Sequence, residues 1–484
     1  MKSSSIPNAV CAALLLFGCT VGPDYQRPAP LGKNPLPSVF AEVKSGNPGK
    51  WKQATPSAHL PRGAWWRIFG EAELNRIETR ATADNQTLAG FLARFEQARA
   101  LVNVSRADWA PQVSAAPDIN RQRTSANMQS GTSTIFNTYN VPLNASWELD
   151  LWGRVRREVE GARALAAAAG DDFESAKLAV QAEVAIDYFT LRSVDSQANL
   201  IRETIKSYQR FLELTQDRHS SGIATDYDVS LAETQLKSTE AQLPALELQR
   251  AKLVHALAAL CGQAALGFAI APAHGIAESA APAIPAGVPS EWLEHRPDIA
   301  AAERRMVAAN ADIGQATAAF YPKVMLNGSA GYQSIHASNL FTWPSRAWAF
   351  GPSLQLPVFT GGRTTAQLAS ARAAYDSAVA SYRQTVLAAF QDVEDQLASQ
   401  RLLAEQLGKE QAALVAARRT LEISITRYKG GLITYLEVAV VQNTALTHEQ
   451  TVVQLAALRQ SAGVSLIKAL GGGWNTDGLR PEAR

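Results

Sequence analysis

Residues 427–438 read RYKGGLITYLEV, and residues 218–229 read RHSSGIATDYDV. The two align without a gap, pairing Arg218 with Arg427, Gly222 with Gly431, Thr225 with Thr434 and Val229 with Val438. A chain that repeats itself over so long an interval builds one supersecondary unit twice, which constrains its fold more than composition does. Further landmarks keep the interval: WAPQV (109–113) with YPKV (321–324), LWGRV (151–155) with TGGRT (360–364), and AALCG (258–262) with KALGG (468–472). Offsets of 209 to 211 make the 484-residue chain a tandem duplication of about 200 residues.

Within each copy the hydrophobic period changes twice. Residues 71–106 carry Leu74, Ile77, Leu88, Phe91, Leu92, Phe95 and Leu101 at helical spacing, and the counterpart runs from Pro297 through Ala318. Past Pro111 and Pro322 the period becomes two. VPLNASWELDLW (141–152) puts Val141, Leu143, Ala145, Trp147, Leu149 and Leu151 on one face. WAFGPSLQLPVF (348–359) puts Trp348, Phe350, Leu354, Leu356 and Val358 on the matching face. VSAAPDIN (113–120) and VMLNGSAGY (324–332) supply the weaker partner strands, giving two strands per copy and four per chain. This alternation suits either a half-buried soluble sheet or strands that cross a membrane tilted.

After Arg154 and Arg363 the helical period returns for 68 residues, on the order of 100 Å of helix, before the glycine. A second long helix runs back over 225–260 and 434–470. Gly222 and Gly431 can take the left-handed conformation that ends a helix, and Thr225 and Thr434 are good N-caps. Each repeat therefore ends in a hairpin tip. Four strands cannot close a barrel in lipid, where unpaired edge amides cost several kcal/mol each and barrels start at about eight strands. If the strands lie in the bilayer, several chains must share one barrel.

The N-terminus, MKSSSIPNAVCAALLLFGC, has a lysine and then an apolar run from Ala9 to Phe17, too short to span a bilayer as a helix. Leu16-Phe17-Gly18-Cys19 resembles a bacterial lipobox, with Cys19 the acylated first residue of the mature chain; the alternative is an ordinary signal cut nearby. Thr20 after the cysteine favours the outer membrane. Cys11 leaves with the signal and Cys19 takes lipid, so Cys261 stands alone as a small buried hydrophobe and no disulfide forms. Forty-six basic against 44 acidic residues, with no basic run, argue against a nucleic-acid surface.

At CTVGPDYQRP (19–28), RPDIAAAERRMVAANADIGQATAAFYP (296–322), PVFTGGR (357–363), GGLITYLEV (430–438) and KALGGGW (468–474), the chain resembles the lipoprotein branch of the TolC-like outer-membrane efflux proteins. The resemblance covers essentially the whole mature chain. It implies an α+β membrane protein: long antiparallel helical hairpins form an α-barrel, continued by an oligomeric transmembrane β-barrel with four strands per chain. It further implies a homotrimer embedded in outer-membrane lipid, docked tip-first on a periplasmic adaptor and an inner-membrane RND-type transporter. The divisions expected are a signal peptide (1–18), a lipidated arm and equatorial segment (19–70), a first repeat (71–262), a linker (263–296) with a short helix capped by Ser290, a second repeat (297–472) and a tail (473–484).

The family's periplasmic aperture is ringed by acids just past the second tip. Glu437 matches the first of these, Val440 stands where the second would be, and Asp228 is the first-repeat equivalent. Thr434-x-x-Glu437 also reads as a capping box, and the two roles are compatible. Gly222, Thr225, Gly431 and Thr434 form the tips that meet the adaptor, and Arg218 and Arg427, in the last turns before them, are candidate gate latches. No HExxH, CxxC, P-loop or GxGxxG pattern is present, so no enzyme, metal or cofactor is expected. A protein-secretion duct of the same fold and a periplasmic coiled-coil scaffold without a pore are the alternatives.

Overall fold

The computed structural model describes residues 20–32, 41–42, 63–127, 133–273, 275–276, 282 and 296–472. The signal peptide, Cys19, the Ser290 cap and the tail lie outside the described residues. The chain divides into two units, one of residues 1–32, 93–170 and 301–384, the other of residues 33–92, 171–300 and 385–484.

Elements follow in the order α1 (Ala72–Asp84), α2 (Gln86–Ala107), β1 (Gln112–Ala115), β2 (Asp118–Arg123), β3 (Ile135–Leu149), α3 (Arg154–Ser220), α4 (Asp226–Glu240) and α5 (Gln242–Leu260). The second repeat supplies α6 (Pro297–Ala318), β4 (Lys323–Ser334), β5 (Arg346–Gln355), α7 (Arg363–Lys429) and α8 (Tyr435–Ala469). Helices α3 and α7 are each 67 residues long and begin at the paired arginines.

Three departures from the sequence expectation have local causes. The first helix breaks at Asn85, which adopts an extended backbone; its Oδ1 accepts from the Leu88 amide at 3.0 Å, while its Nδ2 donates to the Leu260 carbonyl at 2.8 Å. Asn85 thus caps α2 and ties it to the end of α5. The first returning helix is interrupted at Ala241, because Pro244 lacks the N–H that would bond to Glu240 and its ring crowds that carbonyl. Val453 occupies the equivalent position, and α8 runs unbroken for 35 residues. Finally, β5 stops at Gln355 before Pro357, leaving Leu356 and Val358 beyond the strand. The repeats also align differently at their ends: Gly262 and Gly471 occupy the same helix-terminating position, each donating to the carbonyl three residues back, so the interval there is 209 rather than 210.

In the first unit the strands form one antiparallel sheet, β1 and β2 both on one side of β3, then β4, then β5. β1 and β2 keep a single register against β3, Gln112 opposite Ser146 and Asp118 opposite Asn140, and are one strand interrupted at Ala116–Pro117. The break falls opposite Val141–Pro142, where two prolines remove the donors a ladder needs. The sheet thus has four strand positions. Gly331 faces Pro142, and a side chain there would overlap the Val141 carbonyl oxygen.

Because residues directly opposite share a face, the register sorts the sheet. One face collects Val113, Ile119, Val141, Leu143, Trp147, Leu326, Trp348, Phe350 and Leu354; the other collects Asn140, Asn144, Ser146, Glu148, Asn327, Ser329 and Ser353. The apolar face is open: Trp348 is 80%, Phe350 72%, Ile119 72% and Leu354 68% exposed. A soluble sheet would bury such a face.

The two most specific sequence motifs meet in this unit. Gly22 lies against Gly314, where a side chain would strike the Gly314 backbone, and Asn310 Nδ2 donates to the Pro23 carbonyl at 2.9 Å. Arg27 pairs with Glu303 at 2.9 Å, and buried Arg157 bridges Asp24 and Glu160 at 2.9 and 2.8 Å. The Val21 amide donates to the Trp152 carbonyl at 3.1 Å. The segment after Cys19 is thereby strapped along α6 and the start of α3.

The second unit has an apolar core of Trp65, Trp66, Leu74, Ile77, Leu178, Tyr188, Phe189, Leu191 and Leu257, with Cys261 buried as a free thiol. Glu78 is 0% exposed beside this core, and neither of its carboxylate oxygens has a hydrogen-bond partner among the described residues. Burial pushes its pKa up to about 9, so the carboxyl is neutral at pH 7. A raised folded-state pKa means stability falls as pH rises from the unfolded value toward 9, by about 1.4 kcal/mol per pH unit. Glu78→Gln should flatten that slope and raise the unfolding temperature at pH 8 but not at pH 4, as a thermal melt series would show.

Candidate functional site: the paired hairpin tips

Both tips belong to the second unit and close by the same hydrogen bonds. The Ile223 amide donates to the Arg218 carbonyl at 2.8 Å and that of Gly222 to His219 at 2.9 Å; Leu432 to Arg427 and Gly431 to Tyr428 repeat the pattern, each at 2.9 Å. Gly222 and Gly431 have φ of 72° and 74°, the left-handed conformation this closure needs. Nothing lies within 4 Å of a Cβ at Gly222, so glycine is required there for its backbone and not for space.

The returning helices start alike. Thr225 and Thr434 are extended N-caps. Asp228 Oδ2 accepts from the Thr225 amide at 3.0 Å and its hydroxyl at 2.8 Å, and Glu437 Oε1 accepts from the Thr434 amide at 3.2 Å. Both candidate aperture acids therefore sit on the positive ends of their helices as caps.

The two tips differ in what joins them. Arg218 Nη1 donates to the Tyr428 and Lys429 carbonyls at 3.2 and 3.3 Å, and its guanidinium lies 4.9 Å from the centre of the Tyr428 ring. It caps the end of the other repeat's long helix, where positive charge is favoured. The Thr215 and Tyr428 hydroxyls are 3.3 Å apart, and Tyr428 meets buried Tyr435 edge-on at 5.8 Å. Val438, Ala439 and Ala232 complete a small core. Arg427 is exposed instead. Further along, Gln235 and Asn443 exchange two amide hydrogen bonds at 2.6 and 3.1 Å, and Gln242 pairs with Gln450 at 3.2 Å. Both pairs have the same interval and stand seven residues apart, so the returning helices run parallel with polar side chains setting their register.

Tyr428, Tyr435 and Thr215 escaped the sequence reading. The signal was present as a difference between copies: His219 stands where the second repeat has Tyr428, and Asp226 where it has Tyr435. Beyond the joint the tips present exposed apolar residues at equivalent positions, Ile223 with Leu432 and Tyr227 with Leu436. Among the described residues no helix is long and apolar enough to cross a membrane.

Duplicated long helical hairpins carrying one open, one-sided sheet are the fold class of outer-membrane channel subunits. The outer membrane efflux protein family model matches residues 79–263 and 288–472, two segments 209 residues apart, and the chain belongs to that family. It is similar to outer membrane protein OprJ of Pseudomonas aeruginosa, 34% identical over 470 residues that cover 97% of this chain and 96% of the relative. The toluene efflux pump outer membrane protein TtgF of Pseudomonas putida is 32% identical, covering 98% of each chain. Among solved structures, the outer-membrane channel OprN superposes with a TM-score of 0.85 at 29% identity, covering 94% of this chain and 100% of that one. The family is one of outer-membrane efflux channels extending into the periplasm, not of enzymes.

Proposed function

We propose that the chain is the outer-membrane exit duct of a three-part efflux system, passively releasing small toxic compounds that an RND-type inner-membrane transporter delivers through a periplasmic adaptor. The observation that carries this reading is the sheet: four strand positions, one continuous apolar face, and edges at β1–β2 and β5 unpaired among the described residues. Such a sheet needs lipid on one side and further strands at both edges, and a homotrimer supplies them. Relatives named for toluene and antibiotic efflux support small toxic compounds as cargo.

In this reading the chain is organised as segments 1–18, 19–70, 71–262, 263–296, 297–472 and 473–484. Thr20, the residue after the proposed acylation site, packs against Gly153, where the sheet passes into α3. The tips around Gly222, Thr225, Gly431 and Thr434, with exposed Ile223, Tyr227, Leu432 and Leu436, offer the adaptor an apolar end surface. Arg218 is the stronger latch candidate, since Arg427 faces solvent.

Glu437 has a capping role, and an aperture role would add to it. Single-channel conductance in planar bilayers tests the duct and separates those roles. The wild-type protein should conduct. Glu437→Gln, which removes charge but can still accept from the Thr434 amide, should raise basal conductance and ease block by divalent cations if the acid lines the aperture. An effect confined to Glu437→Ala would leave only the cap, worth about 1 kcal/mol. A protein that never conducts would overturn the duct.

A further inference from the structure

The two ends of the sheet differ in charge. At the end joined to the helices, charges are mixed: Arg154 contacts Glu148 and Glu158, each at 2.8 Å, and Lys323 pairs with Glu148 at 2.9 Å. At the opposite end, the column through Val113 and Ile119 continues into Arg121 and Arg123, and the column through Phe350 and Trp348 begins at Arg346. Arg121 lies opposite Asn137, two residues from Tyr139, and Arg346 lies opposite Tyr332, so all three arginines stand on the apolar face. They are exposed. No aspartate or glutamate occurs between residues 119 and 139 or between 332 and 348, and Asp118 points to the polar face, where it accepts from Asn140 at 3.0 Å.

Aromatic side chains accompany the cations. Tyr332 packs against Phe341 at 5.5 Å, and the Arg346 guanidinium lies over the Trp343 ring. Phe341 and Trp343 are largely exposed. An apolar band edged by aromatics and then by cations without counter-charge matches the boundary between acyl chains and anionic headgroups. Guanidinium binds phosphate through paired N–H donors, and a phosphomonoester carries up to about two negative charges for it to meet.

We propose that Arg121, Arg123 and Arg346 form a lipid-headgroup rim that binds the phosphomonoester groups of a bisphosphorylated glycolipid in the outer leaflet. The assignment rests on the reading that the sheet crosses the membrane: with the helices in the periplasm, the end remote from them faces the outer leaflet. The rim would fix the depth of the barrel and hold a shell of lipid around it.

The test uses the full-length protein and a triple variant, Arg121→Gln with Arg123→Gln and Arg346→Gln. Detergent micelles are doped with bisphosphorylated lipid A or with phosphatidylglycerol, and bound lipid is counted by native mass spectrometry. The wild type should prefer lipid A to phosphatidylglycerol, and the triple variant should bind lipid A about ten- to a hundred-fold more weakly. Equal binding by the two proteins, or equal binding of the two lipids by the wild type, would overturn the proposal. Retention of both proteins in urea-washed vesicles shows separately whether the sheet is embedded. If both are retained while lipid A binds them equally, the rim falls and the barrel stands; if neither is retained, both fall. Should the triple variant alone be lost, the exposed single change Arg121→Gln replaces it, with a weakening of about three- to ten-fold expected and unchanged binding counting against the rim.

Discussion

Gly262→Ala should destabilise the protein severely, lowering the unfolding temperature and the yield of folded material. Gly262 has φ of 66°, and a Cβ there would overlap the Asp84 carbonyl oxygen. The obstacle is backbone, at the junction where Asn85 ties the end of α1 to Leu260, so it cannot swing aside as a side chain would. Left-handed strain alone costs about 1–2 kcal/mol, and forced overlap in a packed site raises the total to about 3 kcal/mol or more. Gly222→Ala is the control. Its φ of 72° imposes the same strain, but nothing lies within 4 Å of the added carbon. Thermal melts should place the two variants clearly apart; equal melting temperatures would mean that the α1–α5 junction gives way freely.

Arg218→Ala should have the largest effect on the channel itself. The substitution removes two charge-assisted hydrogen bonds to the end of α7 and the stacking on Tyr428, about 1–3 kcal/mol per chain for a half-buried contact. If the joined tips are the closed state, the loss should raise basal conductance and speed proteolysis near Lys429. Arg218→Lys should be intermediate, since it keeps the charge but not the planar fork. Arg427→Ala, at an exposed side chain, should leave conductance near the wild-type value. Equal effects of the two alanine substitutions would remove the latch assignment from Arg218.

The contrast between those arginines shows how far the sequence could be read. Repeat spacing, helix starts at Arg154 and Arg363, and both tips were legible because they rest on local chemistry: glycine for a positive φ, threonine for a cap, alternation for strands. Arg218 and Arg427 align perfectly, yet only Arg218 has an aromatic ring and two helix-end carbonyls within reach. The ring stands where the first copy has His219, but the carbonyl contacts are main-chain and require knowing that the tips touch. The breaks at Asn85 and Ala241 were legible in principle. Pro244 forbids an intact helix, but a long periodic pattern outweighed one residue. The interruption at Pro117 depends on register, because it is Pro142 on the neighbouring strand that completes it. The arginine rim likewise emerges only when register places residues 121, 123 and 346 on one face.

The open sheet needs other chains to close it, because its apolar face is exposed and its outer strands β1–β2 and β5 have no partners among the described residues. The mass of the detergent-extracted mature protein, measured after removing the detergent contribution, tests it directly. The proposed homotrimeric duct predicts a complex of three chains that precipitates when detergent is withdrawn. A single chain that stays monodisperse in plain buffer would contradict it.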